Sequence, residues 1–188
     1  MKDPLMRSAS GTMTTTINPS KTVTPTGNRS YAWIWSILSV VLVSDQLSKW
    51  AIVELSGFQL GLYPPFGGKV LIPGFFNLAY AVNHGAAWGV LDGYSWLLVL
   101  FAVVVLALIV IFRKELNMSA LSSQWCFGLI SGGIIGNTID RVFRGHVVDF
   151  LDIRLPGYQW PTFNIADSAI VVGTLLYIYL QSRPNKSG

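Results

Sequence analysis

Residues 31–53 read YAWIWSILSVVLVSDQLSKWAIV, an apolar run long enough to cross a lipid bilayer as a single helix. The run is too long for the core of a signal peptide, and no small-residue cleavage pattern follows it. We therefore expect it to stay in the protein as a membrane helix. Similar runs occupy about 94–112, 121–139 and 166–180, of which the last is the shortest. The sequence predicts an all-α membrane protein with four transmembrane helices, forming one domain over residues 31–182.

The composition agrees with a membrane protein. The chain has 188 residues, of which 52% are hydrophobic and only 12% are charged. The formal net charge of +4 does not indicate a nucleic-acid partner, because the basic residues stand in small groups beside apolar runs, where they set membrane orientation. One cysteine, Cys126, and two histidines, His84 and His146, provide neither a disulfide framework nor a cluster of metal ligands. We expect no metal site.

The distribution of basic residues predicts which segments face the cytoplasm. Residues 1–30, rich in Thr, Ser, Asn, Pro and Gly, are predicted to be a disordered cytoplasmic tail, and residues 183–188 a second cytoplasmic tail. Both tails and the link between the second and third helices are basic. The loops 54–93 and 140–163 then lie together on the outer face. The second of these loops weakens the contrast in basic residues between the two faces, because it contains Arg141, Arg144 and Arg154.

The first outer loop has the composition of a small β-rich unit. Between positions 57 and 74 it carries eight Gly and Pro residues, and the aromatic and apolar segment FFNLAYAVN follows at 75–83. Turn residues followed by such a segment indicate short strands. The sequence therefore predicts a small extracytoplasmic sheet on the membrane surface.

Asp45 and Lys49 are the first charged residues inside an apolar run. They lie four positions apart, so they share one face of a helix and can form an ion pair. Charged residues within a membrane helix also suggest a functional site. Of the two interpretations, an orienting ion pair is favoured over direct catalysis.

The segment NHGAAWG at 83–89 combines an amide side chain with small residues. Gly85 and Ala86 allow a backbone or a ligand to approach closely, and Asn83 supplies a donor and an acceptor. Substrate contact and a plain tight turn both fit this spacing. His84 has no acid or nucleophile nearby in sequence, so we interpret it as an interfacial histidine.

The segment SGGIIGNTIDRVFRGHVVDF at 131–150 is the densest in polar residues. Its glycines thin one side of the third helix, as in tightly packed membrane helices. Asn137 and Asp140 share a face, and an Asp beside Arg141 is typical of a structural ion pair. Asp149 differs, because its neighbours are apolar and apolar surroundings raise the pKa of a carboxyl group.

The segment FNIADS at 163–168 begins the fourth helix. Taken alone, Asn164 or Asp167 is best explained as a helix cap. Taken with Asp149, another interpretation becomes stronger, since the loop between the two aspartates can fold back and bring them together. Two carboxylates that share one proton are what a water-activating aspartyl peptidase requires.

Five separated motifs are similar to those of the lipoprotein signal peptidase family, also called signal peptidase II. They are DQLSK at 45–49, NHGAA at 83–87, GGIIGNTIDR at 132–141, VVDF at 147–150 and FNIAD at 163–167. The resemblance implies an inner-membrane endopeptidase that cuts bacterial prolipoproteins before a diacylglyceryl-modified cysteine, without a metal or organic cofactor. It implies Asp149 and Asp167 as the catalytic pair. The residues alone do not separate Asp149 from Asp140.

The same resemblance implies a set of supporting or substrate-binding residues: Asp45, Lys49, Asn83, Gly85, Ala86, Asn137, Asp140, Arg141, Asn164 and Ala166. Expected partners are lipid-modified prolipoproteins and membrane phospholipid, with the enzyme a monomer and its active site at the outer face. The sequence departs from the family pattern in its longer N-terminal tail and in Trp88, where Phe is common.

Two other classes of protein remain as alternatives. A small transporter or channel subunit predicts polar residues through the whole bilayer depth, whereas most charges here collect at the outer helix ends. A non-catalytic scaffold would use the glycines of the third helix for assembly. Neither alternative explains two apolar-flanked carboxylates on one side of the membrane.

Overall fold

The computed structural model of the chain describes residues 31–86 and 89–183. The predictions for the tail at 1–30, for Trp88 and for residues 184–188 lie outside the described residues. Four α-helices stand at the predicted positions: α1 at Ala32–Trp50, α2 at Ser95–Ile111, α3 at Leu121–Arg144 and α4 at Ile165–Ser182. A π-helical segment, Ala51–Leu55, continues α1.

Helix α3 runs five residues beyond its predicted end at position 139. It stops at Gly145, whose φ of 76° is the left-handed conformation in which glycine commonly ends a helix. The extension places Asp140, Arg141 and Arg144 on the helix rather than in the outer loop.

Two of the segments are long and apolar enough to cross a membrane, namely Ala32–Leu55 and α4. Helix α2 is apolar but has only 17 residues. Helix α3 carries buried polar side chains, among them Ser123, Gln124 and Asn137. Four transmembrane helices are therefore not confirmed by length and apolarity alone.

Helix α3 is the centre of the bundle, with α1 and α4 packed against it. Its glycines 128, 132 and 136 face Ile37, Val41 and Asp45 of α1, and a Cβ atom on Gly132 would lie 2.8 Å from the Val41 Cβ. Gly133, on another side, backs onto the Ala166 carbonyl of α4. The predicted glycine packing surface is thus confirmed, and it serves two neighbouring helices.

An antiparallel sheet of four strands lies at one end of the bundle, in the order β1-β2-β3-β4. Strands β1, Lys69–Ile72, and β2, Phe76–Asn83, come from the first outer loop as predicted. Strands β3, Val147–Leu155, and β4, Tyr158–Gln159, come from the second outer loop, for which no strand was predicted. The all-α class is not confirmed, because both outer loops contribute to one sheet packed on the helices.

The sheet is attached to the bundle through an apolar cluster. Val148 and Phe150 of β3 pack with Ile52, which belongs to the π-helical segment after α1. Strand pairing places Ala81 of β2 opposite Asp149. Since side chains alternate along a strand, Asp149 points to the face opposite Val148 and Phe150.

Candidate active site

Asp149 is buried at the junction between the sheet and the helices, where it is only 2% exposed. Burial raises its pKa to about 7, and the nearby negative charge of Asp167 adds to this increase. Hydrogen bonds from Asn83 and Asn164 oppose the shift. The prediction of a raised pKa is confirmed, but its cause differs, because the apolar sequence neighbours of Asp149 point to the other face of β3.

Asp167 lies in the first turn of α4 and takes part in a reciprocal cap. Its backbone N–H donates to the Asn164 Oδ1 atom at 2.9 Å, and its Oδ2 atom accepts from the Asn164 backbone N–H at 3.3 Å. The second carboxylate oxygen, Oδ1, accepts from Asn137 Nδ2 at 2.7 Å. Asn164 and Asp167 therefore both cap the helix. The backbone N–H of Asn164 and the amide of Asn137 each hold one oxygen of the Asp167 carboxylate.

Two asparagine amides connect the aspartates. The Nδ2 group of Asn164 donates to Asp149 Oδ1 at 2.7 Å and approaches Asn137 Oδ1 at 3.2 Å. Lys49 Nζ also donates to Asn137 Oδ1, at 3.0 Å. Because an ammonium group has only donors, it fixes the amide of Asn137 with its NH₂ towards Asp167. The structure thus brings Asp149 and Asp167 into one hydrogen-bonded network.

A charged cluster, defined as Asp45, Lys49, Asp140 and Arg144, lies beside this network. Lys49 Nζ is 2.8 Å from Asp45 Oδ2 and 2.8 Å from Asp140 Oδ2, and all three side chains are completely buried. The predicted ion pair between Asp45 and Lys49 is confirmed. With Asn137 as a third acceptor, the three protons of the ammonium group are all used.

Asp140 does not pair with Arg141, so that prediction is wrong. It pairs with Lys49 and with Arg144, whose Nη1 atom lies 3.2 Å from Asp140 Oδ1. On a helix, residues four apart face each other, whereas adjacent residues point in different directions. Asp152 is fully buried, pairs with Arg154 at 3.0 Å and accepts further bonds from Asn77 and Gln159.

Arg141 instead links α3 to the loop after β2. Its Nη2 atom donates to the Gly85 carbonyl at 2.9 Å, and the Gly85 N–H donates to Asn83 Oδ1 at 3.0 Å. A Cβ atom on Gly85 would lie 2.5 Å from the Val90 carbonyl oxygen, so this position has no room for a side chain. Ala86 closes the turn by donating its N–H to the same carbonyl at 2.7 Å. A tight turn is present, and a substrate contact there stays a prediction.

Ala166 and Asp45 join α4 to α1. The Ala166 N–H donates to Asp45 Oδ1 at 2.9 Å, so the carboxylate of one helix satisfies a free amide in the first turn of another. Ala166 is completely buried. Its side chain faces α3 at Gly136, where a Cβ atom would lie 3.5 Å from the Ala166 Cβ atom.

Gln46 is a polar contact that the sequence reasoning missed. Its Nε2 group donates to Asp45 Oδ2 at 3.1 Å and to Asp140 Oδ1 at 3.3 Å, which links the two carboxylates of the charged cluster. The available signals are its position directly after Asp45 and its place in the DQLSK motif at 45–49. In residues 31–86 and 89–183 no three His, Cys, Asp or Glu side chains are grouped to hold a metal ion.

The arrangement is typical of an aspartic hydrolase built into a membrane helix bundle. Two neighbouring carboxyl groups, of which Asp149 has its pKa raised to about 7, can activate a water molecule and protonate a leaving group.

Comparison with known proteins identifies the family. A family model described as signal peptidase (SPase) II matches residues 37–182, and the chain belongs to this family. A lipoprotein signal peptidase of Geobacillus kaustophilus (strain HTA426) is 40% identical over 161 residues, covering 82% of this chain and 97% of the relative. One from Janthinobacterium sp. (strain Marseille) is 37% identical over 154 residues, covering 80% and 88%.

Solved structures show the same fold. A bacterial membrane enzyme determined by the in meso method at 2.3 Å resolution matches with a TM-score of 0.72 and 34% identity. The match covers 83% of this chain and 92% of that one. A second membrane enzyme, determined by the same method at 1.9 Å, matches with a TM-score of 0.70 and 32% identity.

Proposed function

We propose that Asp149 and Asp167 are the catalytic carboxylates of this enzyme. As a member of the signal peptidase II family, the chain is an aspartic peptidase that removes signal peptides from prolipoproteins. The observation that carries the assignment is the network in which Asn164 donates to Asp149 and Asn137 donates to Asp167. In the described residues neither of these two carboxyl groups forms an ion pair, whereas Asp45, Asp140 and Asp152 each pair with a Lys or Arg.

The different surroundings of the two aspartates suggest different roles. Asp149, with its pKa raised to about 7, is the protonated acid, whereas Asp167, at the start of α4 and bonded to two N–H groups, is the ionised base. Asp167 takes a proton from water as the water oxygen bonds to the scissile carbonyl carbon. Asp149 gives its proton to the carbonyl oxygen. When the C–N bond breaks, the proton held by Asp167 passes to the leaving nitrogen and the carbonyl re-forms, returning its proton to Asp149.

The bond that is cut lies before a diacylglyceryl-modified cysteine in this proposal. A lipid anchor would hold that bond near the membrane surface, and the aspartates lie where the helices meet the sheet. Exposed aromatic side chains surround this end, including Phe66 and Phe143, which are 85% and 81% exposed, and Trp160. Aromatic residues at such a level are typical of the membrane interface.

The proposed topology has four spans with both termini in the cytoplasm of a bacterial inner membrane. Its support is the basic character of the tails and of the α2–α3 link, together with the sheet formed by both loops assigned to the outer face. The peptidase domain covers residues 31–182 and works as a monomer in contact with phospholipid. The supporting residues hold the dyad through the contacts of Lys49, Asn137 and Asn164.

The test is single-turnover cleavage of a diacylglyceryl-modified precursor by purified variants. Asp149→Asn and Asp167→Asn should each lower the rate by at least ~10³-fold, and the double variant should be little worse, because members of one catalytic unit are not additive. The control is Glu54→Gln, which removes an exposed carboxylate near the same end of α1. Substantial turnover by either folded dyad variant would show that the assignment is wrong.

A further inference from the structure

A groove lies at the end of the bundle opposite the sheet, between α1, α2 and α3. It has a volume of about 380 Å³, and its floor consists of Ile34, Ile109, Met118 and Ser131, all buried. In the described part of the chain, α1 and α2 each pack on α3 but make almost no contact with each other. The groove is the space that this arrangement leaves. We name it the Arg113 groove after the one charged residue in its lining.

Apart from Ser131 in the floor, the polar residues of the lining stand at one end of the groove. The open end of the groove, away from the sheet, is formed by two exposed residues. They are Tyr31 at the start of α1 and Arg113 just after α2. The lining runs from Tyr31 to Leu38 on α1 and from Arg113 back to Leu106 on α2, and a rise of 1.5 Å per residue makes this length roughly 10 Å. An extended apolar slot with a cation at one end is complementary to a lipid chain with an anionic headgroup.

Arg113 is free to bind such a headgroup. Its Nη1 atom donates to the Val110 carbonyl at 3.0 Å, and none of the ion pairs found within residues 31–86 and 89–183 involves it. A guanidinium group offers five N–H donors in a planar fork that fits phosphate. Basic pockets between transmembrane helices on the cytoplasmic side are known to bind anionic lipid headgroups.

We propose that the Arg113 groove binds one anionic phospholipid of the cytoplasmic leaflet, with an acyl chain between α1 and α2 and the phosphate on Arg113. The assignment to that leaflet rests on the topology given with the proposed function. The lipid stabilises the packing of α1 and α2 on α3 at the end of the bundle away from the dyad. It is bound separately from the peptide substrate.

The test uses the full chain purified in a neutral detergent and stripped of lipid. Phosphatidylglycerol should raise the thermal unfolding temperature in a saturable way, and phosphatidylcholine should bind more weakly. Arg113→Ala should weaken phosphatidylglycerol binding roughly fivefold, the value of one basic residue at an anionic lipid surface. The matched control is Lys114→Ala, which removes the same charge one position away without changing the groove lining, and its affinity should equal that of the wild type.

A second variant keeps the test decisive. Leu106→Trp narrows the groove from α2 and should reduce binding of both lipids. Equal losses in the Arg113 and Lys114 variants, equal affinity for the two lipids, or a dimer that Leu106→Trp disrupts would each overturn the proposal. Lipid binding is measured without cleavage, and also in the Asp149→Asn variant. Failure to bind lipid therefore leaves the catalytic assignment intact. Loss of cleavage activity in the groove variants likewise leaves the binding result intact.

Discussion

Two groups of aspartates lie side by side in this protein and are held in opposite ways. Asp45 and Asp140 are completely buried, and both contact the ammonium group of Lys49 at 2.8 Å. Asp149 and Asp167 accept hydrogen bonds from the amides of Asn164 and Asn137, and none of the ion pairs in the described residues includes them. The first group has cations as partners, and the second has neutral donors.

The difference lies in whether a full positive charge contacts the carboxylate. Each carboxylate of the charged cluster lies within ion-pair distance of a cation. An amide orients a carboxyl oxygen without supplying a full charge. Burial and the neighbouring charge of Asp167 then favour the protonated form of Asp149. Asn137 connects the groups, because its oxygen accepts from Lys49 while its nitrogen donates to Asp167.

The largest effect on folding should come from removing the shared cation. Lys49→Met leaves Asp45 and Asp140 buried without their central partner, and breaking a buried ion pair in this way costs about 3 to 5 kcal/mol. We expect little folded protein, measured as yield and thermal unfolding temperature in detergent. Lys69→Met, at an exposed position on β1, is the control and should leave stability unchanged. A stable but inactive Lys49→Met would instead make Lys49 part of the chemistry.

The contribution of Asp149 to the stability of the fold should depend on pH. Burial holds the Asp149 pKa at about 7, above its ordinary value of 3.8, so the fold favours the protonated form. Its contribution to stability is therefore complete below the ordinary value and is lost as the pH rises through about 7. Between these limits the unfolding temperature of the wild type should fall relative to that of Asp149→Asn, which cannot titrate at this position. Parallel curves for the two proteins would contradict the assigned proton.

A smaller effect is expected at the helix contact that supports both groups. Gly132→Leu introduces a Cβ atom only 2.8 Å from the Val41 Cβ, with the rest of the side chain beyond it, and overpacking of this kind costs ~1 to 3 kcal/mol. The control is Ser122→Leu on an exposed part of α3. Thermal unfolding should separate the two variants. Full stability with lost cleavage in Gly132→Leu would move this glycine into the substrate site.

The sequence predicted what depends on local spacing. Apolar runs located all four helices, and the four-residue spacing of Asp45 and Lys49 predicted their ion pair. The glycines of α3 were recognised as a packing surface because small residues have one main use between membrane helices. In these cases the interacting groups are close in sequence or belong to one periodic element.

The sequence did not predict what depends on contacts between distant segments. Strand β3 was missed because its pairing partner, β2, lies in the other outer loop. The partner of Asp140 was assigned to Arg141 because Lys49, far away in sequence, could not be placed beside it. The bond from Gln46 to Asp140 has the same explanation, since this acceptor comes within reach only when α1 and α3 pack together. The choice of Asp149 and Asp167 depended on the family motifs.

The protonation of Asp149 is the most direct test of the difference between the two groups of aspartates. Infrared difference spectroscopy of the purified enzyme should show the C=O stretch of a protonated carboxylic acid at about pH 6, below the Asp149 pKa of about 7, and lose it at alkaline pH. The band should be missing in Asp149→Asn and retained in Asp92→Asn, an exposed position in the described loop after β2. A band that persists in Asp149→Asn, or its absence from the wild type, would contradict a dyad that holds a proton on Asp149.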